Sequence, residues 1–119
     1  MSLIKRLTKL LTIITDRDIL KDMKKKIEYK FKEDSALAEL TNYIDSTYTE
    51  HYSTDKYQAT DMIIDAGHGE GFCIGNIMKY AKRFGRKDGK NRADLMKILH
   101  YGIIMLYVEN ENETKRTDS

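Results

Sequence analysis

The chain contains no proline in its 119 residues. Proline is the strongest local interruption of a helix, because its ring fills the space of the preceding turn and it has no N–H to donate. A chain without it can run long helices joined by short Gly- or Asx-containing connections. The apolar spacing agrees. Leu3, Leu7, Leu10, Leu11 and Ile14 recur with a helical period, and Lys5, Arg6 and Lys9 fall between them. After a cap at Thr15 or Asp16, Ile19, Leu20, Met23, Ile27 and Phe31 repeat at spacings of three and four. The opposite face carries Lys21, Lys24, Lys25, Lys26, Lys30 and Lys32, read as a solvated helix surface in preference to a phosphate-binding strip. Asp34 or Ser35 is expected to cap a third helix with Ala36, Leu40, Tyr43, Ile44 and Thr47 on one side.

The second half has a different texture. Asp55 to Ala66 reads as a short helix closed by Gly67, and Gly67-His68-Gly69-Glu70-Gly71 as a turn. A helix is expected over Phe72–Phe84, burying Phe72, Ile74, Ile77, Met78, Ala81 and Phe84, with Gly85 as its stop. Asn91 then caps a helix from Arg92 to about Asn110, whose long apolar face is Leu95, Ile98, Leu99, Ile103, Leu106 and Tyr107. The sum is an all-α chain treated as one folded domain. A helical hairpin or arm over 1–50 serves packing or oligomerisation, a compact three-helix unit fills 51–110, and the polar stretch 111–119 is expected to be disordered.

Composition narrows the function classes. A formal net charge of +2 is too small to mark a general nucleic-acid binder, so nucleic acid is disfavoured as a partner. The single cysteine, Cys73, allows no intramolecular disulfide and no cysteine-based zinc site, and it reads as a small buried apolar residue. A reducing cytoplasm is the expected compartment. No stretch approaches the ~18–20 apolar residues of a transmembrane helix, and the interleaved start reads as amphipathic helix in preference to a signal peptide.

Two features could carry chemistry. The glycine turn runs into a helix N-terminus, where free N–H groups and the helix dipole favour an anion, although the spacing of a Walker loop is absent. Beyond it, Lys79, Lys82, Arg83, Arg86, Lys87, Lys90 and Arg92 place seven cations in fourteen residues. Such a strip suits phosphate, which arginine clamps bidentately and lysine meets as a point charge. The expectation is that turn and strip converge into one phosphate cradle. Asp61, Asp65, Glu70, Asp88 and Asp94 are nearby carboxylates that could hold Mg²⁺ or orient a nucleophile, but they form no metal motif and no resident metal is expected. His51, His68 and His100 match no zinc spacing. His68, Asp94 and Arg83 are the candidates for a catalytic role, with His100 a core-edge residue or a pocket wall.

The run His51-Tyr52, Gly71-Phe72-Cys73-Ile74-Gly75-Asn76, Lys79-Tyr80, Arg83, Gly85, Lys87 and Asp94-Leu95-Lys97 resembles a phage domain-of-unknown-function family. That family includes a small podophage nucleotide kinase, and the similarity covers about His51 to Glu109. The resemblance implies a phage-encoded protein of the host-cell cytoplasm, oligomeric, that phosphorylates deoxynucleoside monophosphates with ATP or another nucleotide and without a Walker loop. It makes Asn76, Lys79, Tyr80, Arg83 and Lys87 ligand contacts, to which Gly71, Gly75 and Arg86 are added from the turn and strip. The other reading is a non-catalytic phage protein that inhibits a host or defence factor or sequesters a nucleotide.

Overall fold

A computed structural model describes residues 2–9, 11, 19, 27–49 and 53–118, with 53–56 and 118 described by backbone alone. The described residues form five helices and no strand, the all-α class expected: α1 over 3–9, α2 (Glu33–Thr49), α3 (Ser53–Asp65), α4 (Gly69–Arg83) and α5 (Arg92–Asp118). The chain divides into two compact units, Met1–Ala36 and Leu37–Ser119.

In the first unit, Ser2 caps α1: its hydroxyl accepts from the Lys5 N–H at 3.3 Å and its carbonyl from the Arg6 N–H at 3.2 Å. Most of the second expected helix lies outside the described residues. Its last turn is corrected, because residues 27–29 are irregular and residues 30 and 31 form a turn. Lys32 takes φ 55°, a left-handed conformation that no helix continues. The Phe31 N–H donates to Glu33 Oε2 at 3.1 Å, so α2 starts at Glu33, ahead of the expected caps at Asp34 or Ser35.

Within the second unit, α2 turns Leu40 and Thr47 inward. The Thr47 and Tyr57 hydroxyls hydrogen-bond across to α3, and the Tyr48 and Tyr57 rings stack at 4.6 Å. Tyr43 meets His100 of α5 edge-on at 5.9 Å, and Glu39 pairs with the Arg92 guanidinium.

α3 ends in a Schellman motif. His68 N–H donates to Ile63 O and Gly67 N–H to Ile64 O, both at 3.0 Å, with Gly67 at φ 88°. The chain enters α4 at once, so the expected five-residue turn shrinks and Gly69–Gly71 become the first helical turn. Gly69 is there for packing. A Cβ on it would lie 2.9 Å from Val108 Cγ2 and 3.2 Å from Ile64 Cγ1, which means that α5 and α3 close on α4 at this point.

α4 and α5 run antiparallel, with Gly69 against Val108, Tyr80 beside Tyr101 and Arg83 beside Asp94. Gly85 at φ 85°, Asp88 at 58° and Gly89 at 69° make the connection. Asn91 caps α5 as expected, its Oδ1 accepting from the Ala93 N–H at 2.9 Å. The helix continues through 111–118, correcting the expectation of disorder. Arg116 reaches back to Glu109 at 2.8 Å and Thr114 to the Asn110 carbonyl at 3.0 Å, so local contacts carry a polar stretch with no apolar period.

The inward faces are corrected too. On α4, Ile74, Met78 and Ala81 are exposed, while Phe72, Cys73, Asn76, Ile77, Tyr80, Arg83 and Phe84 turn inward. On α5, Leu95, Leu99, Ile103, Leu106 and Tyr107 are exposed, and Asp94, Met96, His100 and Val108 are buried. Periodicity locates an apolar stripe, but the close approach at Gly69 and Cys73 decides which stripe is covered.

Candidate functional site

The expected phosphate cradle does not form. The glycine turn and the cations lie at opposite ends of α4, a 15-residue helix rising ~1.5 Å per residue, and are therefore about 20 Å apart. At the N-terminal end, Gly67, His68, Glu70, Gly71, Phe72 and Ile74 line a hollow that contains a carboxylate and no cation. His68 is exposed and makes no side-chain cap. Gly71 and Gly75 face open space, where an added Cβ would meet nothing within 4 Å.

The basic strip also divides. Arg83 turns inward, with its Nη2 3.6 Å from Asp88 and its Nε 3.7 Å from Asp94. Asp94 sits in the first turn of α5 and is only 1% exposed. Arg83 Nε and Asp94 Oδ2 are buried without a hydrogen-bond partner, so the two groups are held by charge more than by fitted geometry. Arg83 and Asp94 thus form an internal ion pair between α4 and α5. Asn76 is likewise engaged, its Nδ2 donating to the Phe72 carbonyl at 2.9 Å. Lys82, Arg86, Lys87 and Lys90 are exposed.

Other cations do converge. The Lys79 ammonium of α4 lies 4.5 Å from the Tyr80 ring centroid, and the Lys97 ammonium of α5 lies 4.9 Å from the same centroid. Tyr101 is near-parallel to Tyr80 at 6.2 Å, and Phe72 meets Tyr101 edge-on at 5.7 Å. Burial and the neighbouring tyrosines push the Tyr101 hydroxyl above the usual phenol range, which keeps it a neutral donor. Among the described residues, neither lysine lies in ion-pair reach of a carboxylate. Two cations from different helices beside one aromatic ring form a site that can receive an anion. Residues 46–102 match DUF3310, a family described as a protein of unknown function. No curated protein and no solved structure matches the chain. The DUF3310 segment contains the whole cluster: Phe72, Lys79, Tyr80, Lys97 and Tyr101.

Sequence reasoning selected Lys79 and Tyr80 as ligand contacts and left out Lys97 and Tyr101. Lys97 belongs to the Asp94-Leu95-Lys97 run, and Asp94 and Tyr101 stand seven residues apart on the α4-facing side of α5 with Lys97 between them. That spacing was the available signal.

A second hollow lies on another side of α5. It is a cleft of about 330 Å³ lined chiefly by Tyr48, Tyr57, Thr60, Asp61, His100 and Tyr107. His100 is therefore both a nearly buried residue and a pocket wall. No group of three or more His, Cys, Asp or Glu side chains among the described residues could hold a metal ion. No described helix is long and apolar enough to cross a membrane.

Proposed function

We propose that this is a phage-encoded nucleotide-handling protein that grips phosphate between Lys79 and Lys97 and rests the base or sugar on the aromatic surface of Tyr80. The observation that carries the reading is the meeting, at one ring, of two ammonium groups from two helices that no carboxylate among the described residues pairs. In its specific form the reading is a kinase that transfers a phosphoryl group from ATP to a deoxynucleoside monophosphate without a Walker loop. Fixed cations would then stabilise charge on the transferring group. Mg²⁺ would arrive on the nucleotide's own phosphates, as it commonly does. Arg86 and Lys87, in the turn that follows α4, are further exposed cations.

The other reading is a non-catalytic phage protein that sequesters a nucleotide or inhibits a host or defence factor. One observation favours it: among the described residues, neither Asp94 nor His68 is an open acid or base beside the two lysines. Asp94 is buried in its pair with Arg83, and His68 lies at the far end of α4. Incubation of purified protein with ATP, Mg²⁺ and each deoxynucleoside monophosphate separates the two. A diphosphate product establishes the kinase. Tight binding with the ligand recovered unchanged establishes sequestration, and no nucleotide binding at all ends both nucleotide readings.

A further inference from the structure

The apolar face that periodicity assigns to the core is the face α5 leaves open. Leu95, Leu99 and Leu106 are exposed, Leu106 at 65%, and with Gly102 they follow one another at spacings of four, three and four. Arg92 and Glu109 extend the same alternation by three residues at either end. These are the alternating spacings of three and four that a coiled-coil seam requires, on a face of α5 where Leu95, Leu99 and Leu106 stand exposed among the described residues.

Gly102 adds an independent observation. A glycine inside a helix costs about 1 kcal/mol against alanine. Gly69 has a packing reason within the chain, whereas a Cβ on Gly102 would meet nothing within 4 Å. A helix-interior glycine at the middle of an exposed leucine seam suits the close approach of a second backbone.

We propose that α5 pairs with α5 of a second copy of this chain, antiparallel, about a two-fold axis passing between His100 and Tyr101. In that register Leu95 lies opposite Leu106, Leu99 enters the space opposite Gly102, and Arg92 stands opposite Glu109. The seam is self-complementary only when antiparallel, since its N-terminal end is cationic and its C-terminal end anionic. Arg92 uses Nε and Nη2 on Glu39, and Glu109 uses Oε1 on Arg116, which leaves Nη1 and Oε2 to face the other copy. The thin core makes the need concrete: among the described residues the buried apolar side chains are Leu40, Cys73, Met96 and Val108. The seam does not include Lys79, Tyr80 or Lys97, so its test is independent of nucleotide binding.

Sedimentation of the full chain from low to high micromolar concentration is expected to show a reversible dimer or a larger assembly built on it. Leu99→Glu should raise the dissociation constant at least ~10-fold with the helical content unchanged, because Leu99 is already exposed in the single chain. Gly102→Ala should split two readouts, raising the melting temperature at monomeric concentration while weakening association. Leu95→Cys mixed with Leu106→Cys should cross-link under mild oxidation, and Leu95→Cys alone should not. A wild-type chain that stays monomeric throughout overturns the proposal, as does a dimer indifferent to Leu99→Glu. Cross-linking of Leu95→Cys to itself in place of Leu106→Cys overturns the antiparallel register.

Discussion

Arg83, at the end of α4, stands 3.7 Å from Asp94 in the first turn of α5, and Asp94 is almost wholly buried. The cation that looks from the sequence like the centre of a phosphate strip thus neutralises a carboxylate inside the fold. Removing one partner of a buried pair strands the other, at a cost of about 3–5 kcal/mol, and Arg83's partial exposure places this pair near the lower end. Arg83→Ala is therefore expected to lower unfolding free energy by ~3 kcal/mol in urea titrations. Lys79→Ala, at an exposed position, should stay within about 0.5 kcal/mol of wild type. Equal stability of the two variants would remove the structural role given to Arg83.

Ligand binding should show the reverse ranking. Lys79→Ala and Lys97→Ala are each expected to weaken nucleotide affinity by roughly 10-fold, on the order of one charge-assisted contact. Both should also flatten its dependence on salt. Tyr80→Phe should bind like wild type, since the ring supplies the surface, while Tyr80→Ala should not. Isothermal titration with a deoxynucleoside monophosphate checks this, and undiminished affinity in the Lys79→Ala, Lys97→Ala double variant rules the cluster out.

The glycines of α4 should separate by environment. Gly69→Ala places a methyl 2.9 Å from Val108 Cγ2 and should destabilise by about 1–3 kcal/mol, the usual penalty of overpacking. Gly71→Ala and Gly75→Ala meet open space and should stabilise by roughly 0.5–1 kcal/mol each through helix propensity. Thermal melts of the three single variants decide it, and a loss of stability at Gly75→Ala would show that something packs on that face.

Burial pushes the Cys73 thiol above its ordinary range, and burial does the same to the hydroxyls of Tyr57 and Tyr101. Each group is neutral in the fold and ionises earlier when unfolded. The unfolded chain therefore releases protons first as pH rises, and stability falls. The decline should begin near pH 8.5, where a free thiol titrates, and steepen near pH 10 with the phenols. Cys73→Ala should remove the first part of that fall, measured as melting temperature against pH. An unchanged profile would exclude the thiol as its source.

The absence of proline and the three-and-four spacing of apolar residues were enough to establish the helical class. They also located most helix boundaries, the cap at Asn91 and the stop at Gly67, because these depend on backbone chemistry within a few residues, while the burial of Cys73 followed from its residue type. The end of α5 was not legible: its last turns are held by Arg116 and Glu109, a contact that carries no apolar signature. Which face of α4 and α5 is covered, and which cations are spent on structure, came only from the tertiary packing. A local pattern records that a stripe exists. Which neighbour closes on it follows from contacts such as Gly69 with Val108, Arg83 with Asp94 and Lys97 with Tyr80, between residues far apart in the chain.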